Sequence, residues 1–521
     1  MLKNPPSPSK NPKVPKPDHP VINLAPVFPV LPRVKNKESI NVRYALISPY
    51  VSAHIFWNPE IGELVYEIEE PILKDNEKKL LEELKTGMIE MINLSTVETS
   101  QEGVLNYIDK TAKVILSEMG IGLSKEVYSK IFYYLYRDFV GLNQIEPLMK
   151  DMFIEDIECN GVSSNIYIVH RLYRNLRTNI VFKDIDVLAS FVEKLAQRSG
   201  KYVSYATPLL DSSLPDGSRV NATYTKDISS KGPTFTIRKF TKVPLTPTQL
   251  LKLKTLSPEM LAYFWLLIQY KSNLLITGGT GSGKTTLLNA LAFFIPPEAR
   301  VVSIEDTREL NLLHENWLPS VARTGISGSG EVDLFTLLKE SFRQNPDYVI
   351  VGEVRGKEAY VLFQGMASGH PSLSTIHADS VESVIKRLET QPINLSPTLV
   401  NTLDALGVMA HAKVKGHDTR KLREIFEVID VPSEGKAETS IPFSWDASSD
   451  SFNVGEKSKV FEKISKRYGL SFEQLEEELS QRTRLLSVLL GKKVFDFEKI
   501  QRIINDYYKN PEKVLREYLE E

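Results

Sequence analysis

The run Asn273–Ala290, NLLITGGTGSGKTTLLNA, constrains the fold of this chain more than any other stretch. An apolar strand, Leu274–Thr277, leads into Gly278-Gly279-Thr280-Gly281-Ser282-Gly283-Lys284-Thr285, and a helix pattern follows. This order satisfies the P-loop motif together with its structural context. Glycines let the backbone N–H groups turn inward around phosphate oxygens, and the helix N-terminus adds its positive dipole end. Lys284 is expected at the β- and γ-phosphates and Thr285 at Mg²⁺, with Thr286 also in the nucleotide-binding run. The chain is therefore expected to bind a nucleoside triphosphate.

Three further apolar strands end in chemically competent residues. Val301–Ile304 runs into Glu305 and Asp306, carboxylates at the strand end where α/β sheets place ligands and where one or both can order water around Mg²⁺. The alternative is that they cap the following segment. Asp347–Val351 runs into Gly352-Glu353, with Arg355 two residues on. A lone carboxylate there can take the proton of attacking water. The aspartate common at such a strand end is replaced by Gly-Glu. Leu373–Ile376 runs into His377, which can donate to a γ-phosphate. Read in isolation, that histidine is more often a satisfied core residue, and only its place as the third such strand end makes the phosphate reading competitive.

The spaced set GGTGSGKT, VVSIEDTRE, RQNPDYVIVGEVRG and LSTIHADS resembles the secretion ATPase superfamily, which includes the motors of type II and type IV secretion, type IV pili and the archaeal swimming filament. The sets correspond to its P-loop, acidic box, atypical Walker B box and histidine box. PLLDSSLPDGSRVNAT and GPTFTIRKF resemble that family's second N-terminal domain, so the likeness spans roughly residues 40 to 515. The resemblance implies that Lys284 and Thr285 bind phosphate and Mg²⁺, that Glu305 lies near metal and water, that Glu353 is the general base and that His377 senses the γ-phosphate. It also assigns Arg219 and Arg238 to the phosphates, and Arg343 and Arg355 to a subunit boundary. ATP and Mg²⁺ are the implied cofactors, and a homohexamer acting on a polytopic membrane platform protein is the implied assembly.

Departures from the family narrow the reading. The single cysteine, Cys159, excludes the four-cysteine metal insertion common in bacterial pilus and type II members, and reads as a small buried residue. The HADS histidine box, FSWDASSDSF and EELSQRTRLL resemble the archaeal branch. Net charge is −2, which gives no electrostatic case for nucleic acid as a partner. No NKxD-type motif follows the P-loop, which argues against a GTPase switch.

The expected fold class is α/β: a RecA-like P-loop NTPase domain preceded by α+β N-terminal domains, with a helical C-terminal tail. The expected divisions are a disordered Pro/Lys-rich leader at 1–35, a first N-terminal α+β domain at 36–140 and a second, PAS-like one at 141–240. A hinge at 241–248, the ATPase domain at 249–440 and a helical region at 441–521 follow. The leader carries ten of the thirty prolines, interleaved with Lys3, Lys10, Lys13 and Lys16. It is expected to bury too little apolar area to offset the entropy of ordering it. No apolar run approaches the length needed to cross a bilayer. The densest, Leu261–Tyr270, reads as a buried helix, and a cytoplasmic chain reaching the membrane through a partner is expected. The stripe Ile500, Ile503, Ile504, Tyr507 and Tyr508 is expected to pack onto the ATPase domain.

Overall fold

In the computed structural model, the described residues are 20, 22–23, 29, 31–32, 36–91, 101–240, 243–323, 330–414, 417–432 and 437–519. They form two compact units, which meet in sequence at Lys239 and Phe240.

The N-terminal unit is built on one nine-stranded sheet. Its strands are β1 (Asn41–Ile47), β2 (Val51–Asn58), β3 (Glu63–Glu69), β4 (Ile154–Cys159), β5 (Asn165–His170), β6 (Arg174–Val181), β7 (Leu209–Ser213), β8 (Arg219–Thr223) and β9 (Thr234–Arg238). Their order is β1-β2-β3-β6-β5-β4-β9-β8-β7. The helices are α1 (Asp75–Met91), α2 (Gln101–Glu118), α3 (Lys125–Leu135), α4 (Glu146–Lys150) and α5 (Ile185–Arg198). A short parallel pairing, Val65 with Arg177 and Tyr66 with Thr178, joins β3 to β6. The segments read as two N-terminal domains thus contribute to one sheet and one continuous apolar core. Asp151 ties them further: its carboxylate accepts from the Tyr44 hydroxyl at 2.5 Å and the Tyr66 hydroxyl at 2.6 Å. Cys159 is buried, as its reading required.

The stretch Pro208–Arg219 holds strand β7 and the turn of a β7–β8 hairpin, with Leu209 opposite Thr223 and Ser213 opposite Arg219. One expectation needs correction here. The leader, read as unable to pack, lies mostly outside the described residues, yet Ile22 and Leu31 are buried in the core. Asn23 bridges Ser48, and the Tyr173 hydroxyl donates to the Pro32 carbonyl at 2.9 Å. Prolines and lysines averaged over 35 positions masked the apolar second half of that segment.

The C-terminal unit carries the second nine-stranded sheet. Helices α6 (Pro247–Lys252) and α7 (Pro258–Gln269) precede β10 (Leu274–Gly278), followed by α8 (Lys284–Ala292), β11 (Val301–Glu305), β12 (Trp317–Val321) and α9 (Leu334–Ser341). Next come β13 (Tyr348–Val354), α10 (Glu358–Ala367), β14 (Ser372–Ile376), α11 (Val381–Glu389), α12 (Pro397–Val400) and β15 (Ala405–Val414). Strands β16 (His417–Asp430), β17 (Glu438–Asp446) and β18 (Ser451–Val454) lead to α13 (Lys459–Tyr468), α14 (Phe472–Gly491), α15 (Phe497–Lys509) and α16 (Pro511–Leu519). The order is β12-β11-β13-β14-β10-β15-β16-β17-β18. Strands β10 to β15 pair in parallel, as alternating strands and crossover helices require. The alternation of strand and helix stops at β15, because β16 folds straight back on it and the sheet closes as an antiparallel meander.

Helix α7 is capped by Ser257, whose side chain accepts from the Met260 N–H, and it opens with Pro258. Met260 to Ile268 are all buried, as suits a helix enclosed on every side. Among the described residues no helix is long and apolar enough to cross a membrane. The terminal helices pack on α7: Ile500, Ile503, Ile504 and Tyr507 are buried in the core that contains Trp265. Trp265 stacks on Phe294 at 4.8 Å and donates to the Tyr508 hydroxyl, which donates to the Phe294 carbonyl. The end of the segment read as a hinge is also anchored, since Thr248 is buried and donates to the Val494 carbonyl at 2.7 Å.

Candidate active site

Strands β11, β13, β14 and β10 are neighbours in the sheet and run parallel. The acidic, Walker B, histidine and P-loop segments therefore all emerge at one edge, beyond the carboxyl ends of adjacent strands.

The P-loop conformation follows from its glycines. Gly278, Gly281 and Gly283 have φ of 150°, 70° and 96°. At Gly278 a Cβ would sit 2.4 Å from the Met409 carbonyl oxygen and 2.6 Å from Ser282 Oγ, so no larger residue fits. Gly283 caps α8, which places Lys284, Thr285 and Thr286 in its first turn. Lys284 Nζ donates to the Gly278 and Gly279 carbonyls at 2.9 and 3.0 Å. Burial lowers its pKa, opposed chiefly by the nearby charge of Glu353. Ser282 Oγ is buried and has no hydrogen-bond partner among the described residues.

Glu305 ends β11 at 2% exposure. Its Oε1 accepts the N–H groups of Glu309 and Leu310, each at 2.9 Å, whereas its Oε2 is buried without a partner among the described residues. Capping of the following segment thus holds for one oxygen and leaves the other available. Burial pushes the carboxyl up to about 7, against the pull of those two N–H groups. The same loop is fixed from α8 by buried Asn289, which donates to the Glu309 carbonyl and accepts from Asn311 N–H.

The absent strand-end aspartate now has a steric reason. A Cβ on Gly352 would lie 3.1 Å from Glu305 Cγ, so the carboxylate of the neighbouring strand fills that space. A bulge between Val351 and Val354 interrupts the pairing of β13 with β14 at Gly352-Glu353. Such bulges re-aim side chains beside active sites. Glu353 is partly exposed and pairs with Arg355 at 2.6 Å, and Arg355 lies 3.6 Å from Asp306. Buried Glu358 fixes the intervening turn by accepting the Arg355 and Gly356 N–H groups.

His377 follows β14 at the same edge, its carbonyl accepting from Arg387 Nη1 at 2.8 Å. Thr277 Oγ1 donates to the next carbonyl, Ala378, at 2.7 Å. Lys284, Thr285, Glu305, Glu353, Arg355 and His377 are thus gathered at one sheet edge. Arg343 is not among them: it sits on a 3-10 turn, Phe342–Gln344, that leads into the opposite end of β13, 79% exposed and 3.4 Å from Glu340. Arg219 and Arg238 belong to the N-terminal unit, where they are cross-strand partners on β8 and β9. Arg219 binds Asp211 through two nitrogens at 3.0 and 2.8 Å, and Arg238 binds Asp156 at 3.2 Å.

A Mg²⁺–nucleotide fits this donor set. The unpartnered Glu305 Oε2 and Ser282 Oγ are both buried, beside an inward-turned glycine loop. Among the described residues no group of three His, Cys, Asp or Glu side chains is placed to hold a metal. Sequence reading missed Asn289, Glu358 and Arg387, whose partners lie on loops that only the assembled sheet brings near.

Residues 139–414 match the family described as Type II/IV secretion system protein. An uncharacterized protein of Methanocaldococcus jannaschii is 35% identical over 494 residues, covering 90% of this chain and 89% of that protein. The conjugal transfer protein TrbB of Rhizobium radiobacter is 32% identical over 227 residues, 42% of this chain and 68% of TrbB. The crystal structure of the Brucella suis VirB11 ATPase aligns with 24% identity and a TM-score of 0.29, covering 54% of this chain and 93% of that one. With the family match spanning more than half of its length and the P-loop, acidic, Walker B and histidine segments at one sheet edge, this chain belongs to the type II/IV secretion system protein family and is a P-loop ATP hydrolase.

Proposed function

We propose that this ATPase is a motor, working as a homohexamer on the cytoplasmic face of a membrane, that powers assembly of a type IV pilus-like filament or protein secretion through a polytopic platform protein. The observation that carries the reading is the convergence of Lys284, Glu305, Glu353 and His377 at the ends of four adjacent strands.

In this reading Gly278–Thr286 hold the phosphates, with Lys284 leaving the Gly278 and Gly279 carbonyls to pair with them. Thr285 would hold Mg²⁺, with Glu305 behind it in the ion's outer shell or reaching it through water, and the ion would neutralise phosphate charge when bound. Glu353 accepts the proton of the attacking water, oriented by its pairing with Arg355. His377, held through its own carbonyl, reports the γ-phosphate to α11. Arg219 and Arg238 are assigned to the phosphates on the resemblance alone. Arg343, remote from its own chain's Glu353, acts across a subunit boundary, where an arginine is worth roughly 10³- to 10⁵-fold.

Relatives named as conjugal transfer proteins support the secretion reading. Assembly and rotation of a swimming filament is the alternative within the class, and nucleic-acid translocation the alternative outside it. The test is Glu353→Gln in the native host, with surface filaments imaged and swimming tracked in the same cells. Loss of non-rotating filaments, or of a secreted protein, with swimming intact supports the proposal. Loss of swimming alone assigns the chain to the rotary filament. DNA-stimulated ATP hydrolysis by the purified chain would favour translocation, and a monomer at micromolar concentration with a non-hydrolysable ATP analogue would overturn the hexamer.

A further inference from the structure

Strand β16 crosses the same sheet edge, and two of its arginines bind the loops that form the site. Gly278 pairs with Met409 on β15, and Met409 pairs with Leu422, so the first half of β16 lies where β10 gives way to the P-loop. Arg420 Nε donates to the Gly281 carbonyl at 2.9 Å, its one side-chain hydrogen bond among the described residues. Its Cδ lies 3.3 Å from where a Cβ on Gly283 would be, so the side chain lies along the P-loop. Arg423 Nη2 donates, at 3.4 Å, to the carbonyl of Asp379 in the histidine box.

In a regular strand residues three apart face opposite sides. Here Val408 opposes Glu424 while Met409 opposes Leu422, which leaves Arg423 as the extra residue of a bulge. The bulge brings Arg423 to the side of Arg420. Lys421, between them, goes the other way and pairs with Asp450 at 2.6 Å. The histidine box is thereby held at three successive carbonyls: His377 by Arg387 of α11, Ala378 by Thr277 of β10 and Asp379 by Arg423 of β16.

We infer that Arg420 is a second phosphate-binding cation beside Lys284, and that Arg423 is a positioning residue coupling the histidine box to the same strand. Arg420 presents a guanidinium at the loop whose N–H groups wrap phosphate, with both terminal nitrogens available to oxygens. Because β16 bonds the P-loop at 420 and the histidine box at 423, movement of Arg420 onto phosphate is transmitted to His377 through one strand. The inference rests on nucleotide binding at the P-loop and not on the motor reading.

The test uses the full chain with AMP-PNP and Mg²⁺ for affinity, and steady-state ATP hydrolysis for kcat and KM. Arg420→Ala is expected to weaken AMP-PNP binding roughly 10- to 100-fold, the effect of a charge-assisted hydrogen bond. Arg420→Lys, which keeps the charge, is expected to recover most of that loss, which a purely structural role would not allow. Arg423→Ala is expected to keep affinity within about threefold and lower kcat roughly 5- to 10-fold. Should Arg420→Ala fail to fold, Arg420→Gln carries the same test with the side-chain length kept. Binding within twofold of wild type in the neutral Arg420 variant overturns the inference. Lys284→Ala is the control: if it too binds as wild type does, nucleotide binding at the P-loop is itself wrong.

Discussion

Replacing Glu305 by Gln isolates the cost of a buried, half-satisfied carboxylate. Oε1 accepts two backbone N–H groups, and an amide oxygen can accept the same pair. What changes is Oε2, which is buried and unpartnered in the carboxylate. The carboxyl is raised from 4.5 to about 7, so between these pH values the folded chain holds a proton that the unfolded chain has released. Wild-type stability therefore falls as pH rises through this window, by about 1.4 kcal/mol per pH unit and about 3 kcal/mol in all. Glu305→Gln lacks this loss. The two proteins are expected to be similarly stable near pH 4.5 and to separate by about 3 kcal/mol by pH 8.5. For a unit of this size that is roughly 5 to 10 °C in the calorimetric transition of the ATPase unit. Scans of both proteins at pH 5, 6, 7 and 8.5 measure the separation. Melting temperatures that stay parallel across the range would refute the argument that burial holds this carboxyl high.

Other outcomes follow from the same geometry. Gly352→Ala places a methyl 3.1 Å from Glu305 Cγ and is expected to cost about 1 to 3 kcal/mol and most of the ATPase rate, while Gly352→Asp, the more common strand-end residue, is expected to be inactive. Calorimetry and steady-state hydrolysis read both. Tyr508→Phe leaves the Trp265 N–H and the Phe294 carbonyl without their partner, for about 2 to 4 kcal/mol, and should lower the melting transition of the ATPase unit itself. A change confined to a separate, minor transition would show that the terminal helices are not part of that core.

What the sequence made legible was local and periodic. The P-loop could be read because strand, glycine turn and helix follow one another without interruption from Leu274 to Ala292. Glu305, Glu353 and His377 could be read because each ends an apolar run, and parallel neighbours bring such ends together. The strand β7, Leu209–Ser213, escaped because its Asp211-Ser212-Ser213 half carries no apolar alternation. The single N-terminal sheet depends on Val65 meeting Arg177, a pairing across more than a hundred residues that no local pattern records. No local pattern singles out Arg420 and Arg423; their place beside the P-loop depends on which strand neighbours β10 and on a one-residue bulge. The glycine at 352 looked like a missing aspartate until Glu305, on the next strand, filled its space.

In the proposed mechanism this sheet edge hydrolyses ATP with Glu353 as the base. Single-turnover hydrolysis of Mg-ATP by the purified chain, wild type against Glu353→Gln, with nucleotide binding measured in parallel, tests it most directly. Binding is expected within a fewfold of wild type and hydrolysis slowed roughly 10²- to 10⁴-fold. Hydrolysis by Glu353→Gln at the wild-type rate would contradict it.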